Sequence, residues 1–78
     1  DGGRIVADDA TVENSELGDN VHVRSGATIK NSTVEGTVVF RDASITDAEV
    51  EDSVIDVKAS VDGKDLDGAL LGQHTRVQ

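Results

Sequence analysis

The chain has 78 residues and a formal net charge of −9, which limits it to one small acidic domain. It contains no cysteine, which excludes a disulfide framework and thiolate metal sites. The acidic residues are spread along the whole chain and disfavour nucleic acid, since they would repel its phosphates. No apolar run approaches the roughly 18 residues needed to span a bilayer, and no signal-peptide pattern is present. We therefore predict a cytoplasmic protein without nucleic acid or membrane partners, and a halophilic source would account for the acid excess.

From Ile5 onward, short β-branched runs alternate with Asn, Asp, Gly and Ser. This pattern is typical of strands joined by tight turns. No segment keeps the 3.6-residue apolar period of a helix. The segments 34–45 and 50–61 align without gaps at an offset of 16 residues. The chain is therefore an internal repeat of short strands.

Extending that alignment in both directions gives four columns of similar side chains. The first step of each column is one residue longer than the later steps, which keep the offset of 16. The columns are Val12, Ile29, Ile45, Val61 and Val77; Ala10, Ala27, Ala43, Ala59 and Thr75; Leu17, Val34, Val50 and Leu66; and Val21, Val38, Val54 and Leu70. Such columns predict a solenoid, in which each coil buries its apolar side chains against its neighbours.

The spacing within each coil narrows the type of solenoid. The segments 17–22 and 23–28 fit two successive hexapeptides, each with an aliphatic residue first and a small or aliphatic residue fifth. This resembles the hexapeptide-repeat left-handed β-helix. We predict an all-β, single-stranded, left-handed parallel β-helix of about four to five coils, each of sixteen or seventeen residues. Residues 1–4 are predicted to end a linker from a missing upstream domain, and residues 5–78 to form the β-helix.

The segments 12–40, 50–55 and 69–77 resemble the C-terminal β-helix of archaeal sugar-phosphate nucleotidyltransferases, of the haloarchaeal glucose-1-phosphate thymidylyltransferase type. The resemblance implies a structural or assembly domain of an enzyme that makes nucleotide sugars. Catalysis and Mg²⁺ would belong to the missing N-terminal domain. Gly2-Gly3-Arg4 is too short to cradle phosphate. No catalytic, cofactor-binding or metal-binding residue can be placed on this chain, so the chain alone is predicted not to be an enzyme.

Two alternatives stay open. A hexapeptide-repeat acyltransferase, or a fragment of one, would use His22 or His74 as a general base. The Asp/Gly-rich segment 62–68 could hold calcium, although it lacks the first ligand and the closing Glu of an EF-hand. A solvated turn is the simpler interpretation of that segment.

One further column suggests a contact surface. Alternation along the strands, with the Val21 column facing inward, directs the neighbouring column toward solvent. We predict that this outward column forms a contact stripe for the missing catalytic domain, for identical subunits, or for both. It consists of Ile5, His22, Val39, Ile55 and Leu71.

Overall fold

Residues 3–78 are described by a computed structural model, and they form an all-β solenoid of parallel strands. Each coil contributes one strand in turn to three sheets, here named A, B and C. Sheets A and B contain five strands each and sheet C contains four. The predicted parallel β-solenoid of about four to five coils is confirmed.

The strands are two or three residues long, because each side of a coil is short and ends in a tight turn. Sheet A contains β1 (Ile5–Val6), β4 (His22–Val23), β7 (Val38–Val39), β10 (Val54–Ile55) and β13 (Leu70–Leu71). Sheet B contains β2 (Thr11–Glu13), β5 (Thr28–Lys30), β8 (Ser44–Thr46), β11 (Ser60–Asp62) and β14 (Arg76–Val77). Sheet C contains β3 (Glu16–Leu17), β6 (Thr33–Glu35), β9 (Glu49–Glu51) and β12 (Leu66–Asp67).

The core lies between the three sheets and is built from stacked aliphatic columns. In sheet B the column from Val12 to Val77 pairs in the predicted register. In sheet C the column from Leu17 to Leu66 does the same. Fully buried members of these columns include Ile29, Ile45 and Val50. A coil of this size has room for little more than one branched side chain from each sheet, which explains a core of Val, Ile and Ala.

Left-handed backbone conformations turn the chain at the corners. Asn, Asp and Gly adopt a positive φ more easily than other residues, which explains their recurrence between the strands. The positive-φ residues are Gly3 before β1; Asn14, Asn31, Asp47 and Gly63 between sheets B and C; Asn20, Gly36, Asp52 and Gly68 between sheets C and A; and Gly26, Asp42, Lys58 and His74 between sheets A and B.

Ladders of hydroxyl groups satisfy the buried backbone at two of the corners. Between sheets C and A, Thr37 Oγ1 donates to Glu35 O (2.8 Å) and accepts from Ser53 N (3.3 Å). Ser53 Oγ repeats this with Glu51 O (2.7 Å) and Ala69 N (3.0 Å). Between sheets B and C, the hydroxyls of Ser15 and Ser32 make the equivalent bonds. Each hydroxyl closes its own corner and binds the next coil.

The repeat shortens by one residue at a defined place. Leu17 pairs with Val34 at the longer offset, whereas His22 pairs with Val38 at the shorter one. Gly18 N donates to Val34 O, and Gly36 N donates to Asp19 O. The chain from Leu17 to His22 is therefore one residue longer than the paired chain from Val34 to Val38, and Asp19 lies at this insertion.

The first described residues are joined to the first coil. The predicted linker, residues 1–4, lies partly outside the described residues, which begin at Gly3. Arg4 Nη1 donates to Leu17 O (3.0 Å) and so connects that segment to β3. Within residues 3–78 there is no helix with the length and apolarity needed to cross a membrane.

Candidate docking surface on sheet A

The structure corrects the predicted contact stripe. Val39 and Ile55 are fully buried, and Leu71 is partly buried and packs against the core. Only Ile5 and His22 of the predicted five are exposed. The prediction was wrong for the other three because it used the longer offset once more after the insertion at Asp19, where the strands already pair at the shorter offset.

The column that does point outward on sheet A contains mostly large aliphatic side chains. It is named the sheet A stripe and consists of Ile5, His22, Val38, Val54 and Leu70, which pair with one another coil by coil. Ile5 is 58% exposed and Leu70 is 77% exposed, while Val38 and Val54 are half-buried. A mostly aliphatic column facing solvent is unusual on an acidic chain and marks a candidate contact surface.

The predicted inward column of sheet A was also wrong from its second member onward. Val38, Val54 and Leu70 were predicted to be inward neighbours of Val21, but they form the stripe. In the later coils the inward position of Val21 is occupied by Thr37 and Ser53, which belong to the hydroxyl ladder and are both buried. The positive-φ residues at this corner keep the shorter offset from Asn20 onward, and this spacing is the sequence signal for the correct register.

The two borders of the sheet A face differ in charge. In the last residues of the sheet C strands and in the corners that lead from them to sheet A, every charged residue is acidic and exposed: Asp19, Glu35, Glu51, Asp52 and Asp67. Arg4, which precedes β1, is the one cation at the first-coil end of this border among residues 3–78. Where sheet A turns into sheet B, three successive coils carry exposed cations: Arg24, Arg41 and Lys58. That second border also contains the acidic residues Asp8, Asp9, Asp42 and Asp56.

Phe40 lies on the border between sheets A and B, next to the stripe. The Arg24 guanidinium carbon lies 5.6 Å from the centre of the Phe40 ring, within the range of a cation–π contact. A surface recess of about 320 Å³ is lined by Arg24, Ser25, Phe40, Arg41 and Val57. This border of sheet A therefore contains a surface recess that an aromatic ring and two arginine side chains line.

Hydrogen bonds hold one acidic side chain of this border in place. Ser25 Oγ donates to Asp9 Oδ2 (2.6 Å), and Gly26 N donates to Asp9 Oδ1 (3.2 Å). The bond from Ser25, helped by that from Gly26, lowers the pKa of Asp9 below its ordinary value. Asp56 Oδ1 accepts from Val57 N and is likewise turned toward its own backbone. These two carboxylates are therefore engaged locally, beside the three cations.

The structure places the two candidate histidines on different parts of the solenoid. His22 is exposed within the sheet A stripe, and His74 is exposed at the corner of the last coil, with φ of 62°. Among residues 3–78 no three His, Cys, Asp or Glu side chains are grouped so that they could hold a metal ion. The Asp/Gly-rich segment 62–68 forms the end of β11, the corner after it, strand β12 and the start of the next corner.

Comparison with known proteins adds no relative: no protein-family model matches the chain, and a search of curated proteins finds no match. Its function is therefore inferred from the fold, from the sheet A face and from the resemblance seen in the sequence.

Proposed function

We propose that this chain is a non-catalytic assembly module that docks through sheet A, and that it serves a sugar-1-phosphate nucleotidyltransferase as its C-terminal domain. In that role the parent enzyme joins a nucleoside triphosphate to a sugar 1-phosphate with the help of Mg²⁺, and releases pyrophosphate. The solenoid holds catalytic domains or subunits together.

The sheet A stripe is the observation that carries the assembly role. The outward positions of sheet A contain large aliphatic side chains, whereas polar side chains there would make an isolated solenoid more soluble. These aliphatic residues are Ile5, Val38, Val54 and Leu70. The outward positions of sheet C, by contrast, are mostly charged, as at β9. Covering the stripe with a partner removes its apolar surface from water. The choice of a nucleotidyltransferase as parent is supported by the resemblance of the segments named above.

Expression of the whole reading frame that encodes this chain tests the proposal. We expect pyrophosphate release from a nucleoside triphosphate and glucose 1-phosphate in the presence of Mg²⁺. Val54→Lys should reduce the assembly mass measured by light scattering, because it places a charge in the stripe. It should leave the turnover per active site nearly unchanged, because no catalytic group is placed on this chain.

The matched control is Thr46→Lys, which adds the same charge at a half-buried outward position of sheet B. It should leave the assembly mass unchanged. A Val54→Lys protein with the wild-type mass contradicts docking through sheet A. Acyl transfer in place of pyrophosphate release, abolished by replacing His22 or His74, contradicts the nucleotidyltransferase role.

A further inference from the structure

We propose that the partner of the sheet A stripe is a second copy of this chain, with the two solenoids parallel and related by a two-fold axis that runs along the stripe. This inference rests on the proposed docking role of sheet A and specifies its partner. It follows from the position of the aliphatic column and from the unequal charge of the two borders.

The stripe is suited to meet an identical stripe. It forms the central outward column of sheet A, and Val38, Val54 and Leu70 continue it through three successive coils. In a two-fold contact the same patch is used by both copies, so an apolar column on one copy is covered by the same column on the other. Each copy thereby removes its exposed Leu70 and half-buried Val54 from water.

The charges of the borders distinguish two ways of bringing these faces together. In the parallel arrangement, the border between sheets A and B of one copy meets the border between sheets C and A of the other. Arg24, Arg41 and Lys58 then face the acidic border, which contains Glu51 and Asp52 at the level of the central coils. These cations share their border with four acidic residues, so the attraction is local to the individual side chains and sets the orientation of the pair more than its strength.

The antiparallel arrangement brings each border against its own copy. The border between sheets C and A contains five acidic residues, so two such borders repel each other. Its one cation among residues 3–78, Arg4, lies at the first-coil end and donates to Leu17 O. The other border brings three cations and four acidic residues against the same set, so it adds little to the difference between the two arrangements. Since like charges placed together cost free energy, the charge pattern favours the parallel pair.

The size of the face sets the strength of the contact. The described part of the chain measures 30 × 22 × 20 Å. Even its largest flat face covers only about 660 Å², below the roughly 800 Å² per partner of a standard interface. We therefore expect a weak, concentration-dependent pair when the chain is isolated. Attached catalytic domains that associate with each other would raise the effective concentration of one solenoid for the other.

Disulfide trapping tests both the partner and its orientation. The chain has no cysteine, so a single introduced thiol reports on one position. In the parallel pair the two Leu70 positions face each other directly across the two-fold axis, so thiols introduced there encounter each other more often than thiols on another face. Leu70→Cys should therefore form a disulfide-linked dimer faster than an unassociated control, by up to about tenfold at about 100 µM protein, the limit for a fully paired chain with a millimolar effective concentration inside the complex.

Thr46→Cys on sheet B is the matched control, and each variant's fold is checked by circular dichroism. A mixture of Ile5→Cys and Leu70→Cys chains covers the antiparallel case, in which the two ends of the stripe meet. Rapid mixed dimers with slow Leu70→Cys dimers would overturn the parallel orientation. If Leu70→Cys and the mixture both react as slowly as the control, the second copy is not the partner. A smaller assembly of the whole Val54→Lys protein would then still support docking of sheet A on another surface.

Discussion

Val39→Lys should leave the chain largely unfolded, whereas Val38→Lys should leave it folded. Val39 is fully buried in sheet A, and its side chain points into a thin core of aliphatic residues. An unpaired buried charge costs several kcal/mol. A folded chain of 78 residues has a total stability of only about 4–12 kcal/mol, so one such charge removes most of it.

Val38 supplies the matched control because it is the preceding residue of the same strand and lies in the outward stripe. A lysine there can extend its ammonium group into water, and we expect a change in the free energy of unfolding below about 1 kcal/mol. Urea denaturation followed by circular dichroism measures both variants. The longer offset would place Val38 inward and Val39 outward. If Val38→Lys proves less stable than Val39→Lys, the register described here is contradicted.

Thr37→Val should lower the free energy of unfolding by about 1–3 kcal/mol, because it removes a buried hydroxyl and leaves its partner unsatisfied. Thr37 is fully buried, and its Oγ1 is the acceptor for Ser53 N in the next coil. Valine nearly preserves the shape of threonine, so the loss reports on hydrogen bonding more than on packing. The change in urea midpoint at constant m-value measures the effect.

Two control variants separate the hydroxyl from other effects of the substitution. Thr37→Ser keeps a hydroxyl at this corner, as Ser53 does one coil later, and should retain most of the hydrogen-bond contribution. Thr33→Val makes the same exchange at an exposed position and should change stability by less than about 0.5 kcal/mol. Equal losses for Thr33→Val and Thr37→Val would contradict a structural role for the hydroxyl ladder.

The repeat, the parallel solenoid and the inward columns of sheets B and C could all be predicted from the sequence. Columns such as Ile29, Ile45 and Val61 could be aligned because each has polar or small neighbours, which leaves only one possible inward position. The corners were also predictable from Asn, Asp and Gly. The left-handed sense of the coil stays a prediction of the hexapeptide pattern.

Sheet A could not be assigned from hydrophobicity, because its strands contain adjacent aliphatic residues. Alternation alone allows either residue of each strand to point inward in Val38–Val39, Val54–Ile55 and Leu70–Leu71. The equal spacing of Leu17 to Val21 and of Val34 to Val38 then favoured the wrong one. The insertion at Asp19 was concealed by that coincidence, and the error moved the contact stripe by one residue in three coils.

The same ambiguity concealed the difference between the two borders of the sheet A face. Charged residues are spread evenly along the chain, and only the three-dimensional register separates Asp52 and Glu51 on one border from Arg41 and Lys58 on the other. The sequence therefore suggested a contact surface, but it could not indicate which partner or which orientation fits that surface.

The proposed pairing of two solenoids through the outward face of sheet A is tested most directly by NMR. Backbone amide chemical shifts measured over a dilution series observe every coil and every sheet at once. We predict concentration-dependent shifts at His22, Val38, Val54 and Leu70 and along both borders of sheet A, with the amides of sheet B unchanged. Shifts confined to sheet B or to the end coils, or constant shifts throughout up to millimolar concentration, would contradict the pairing.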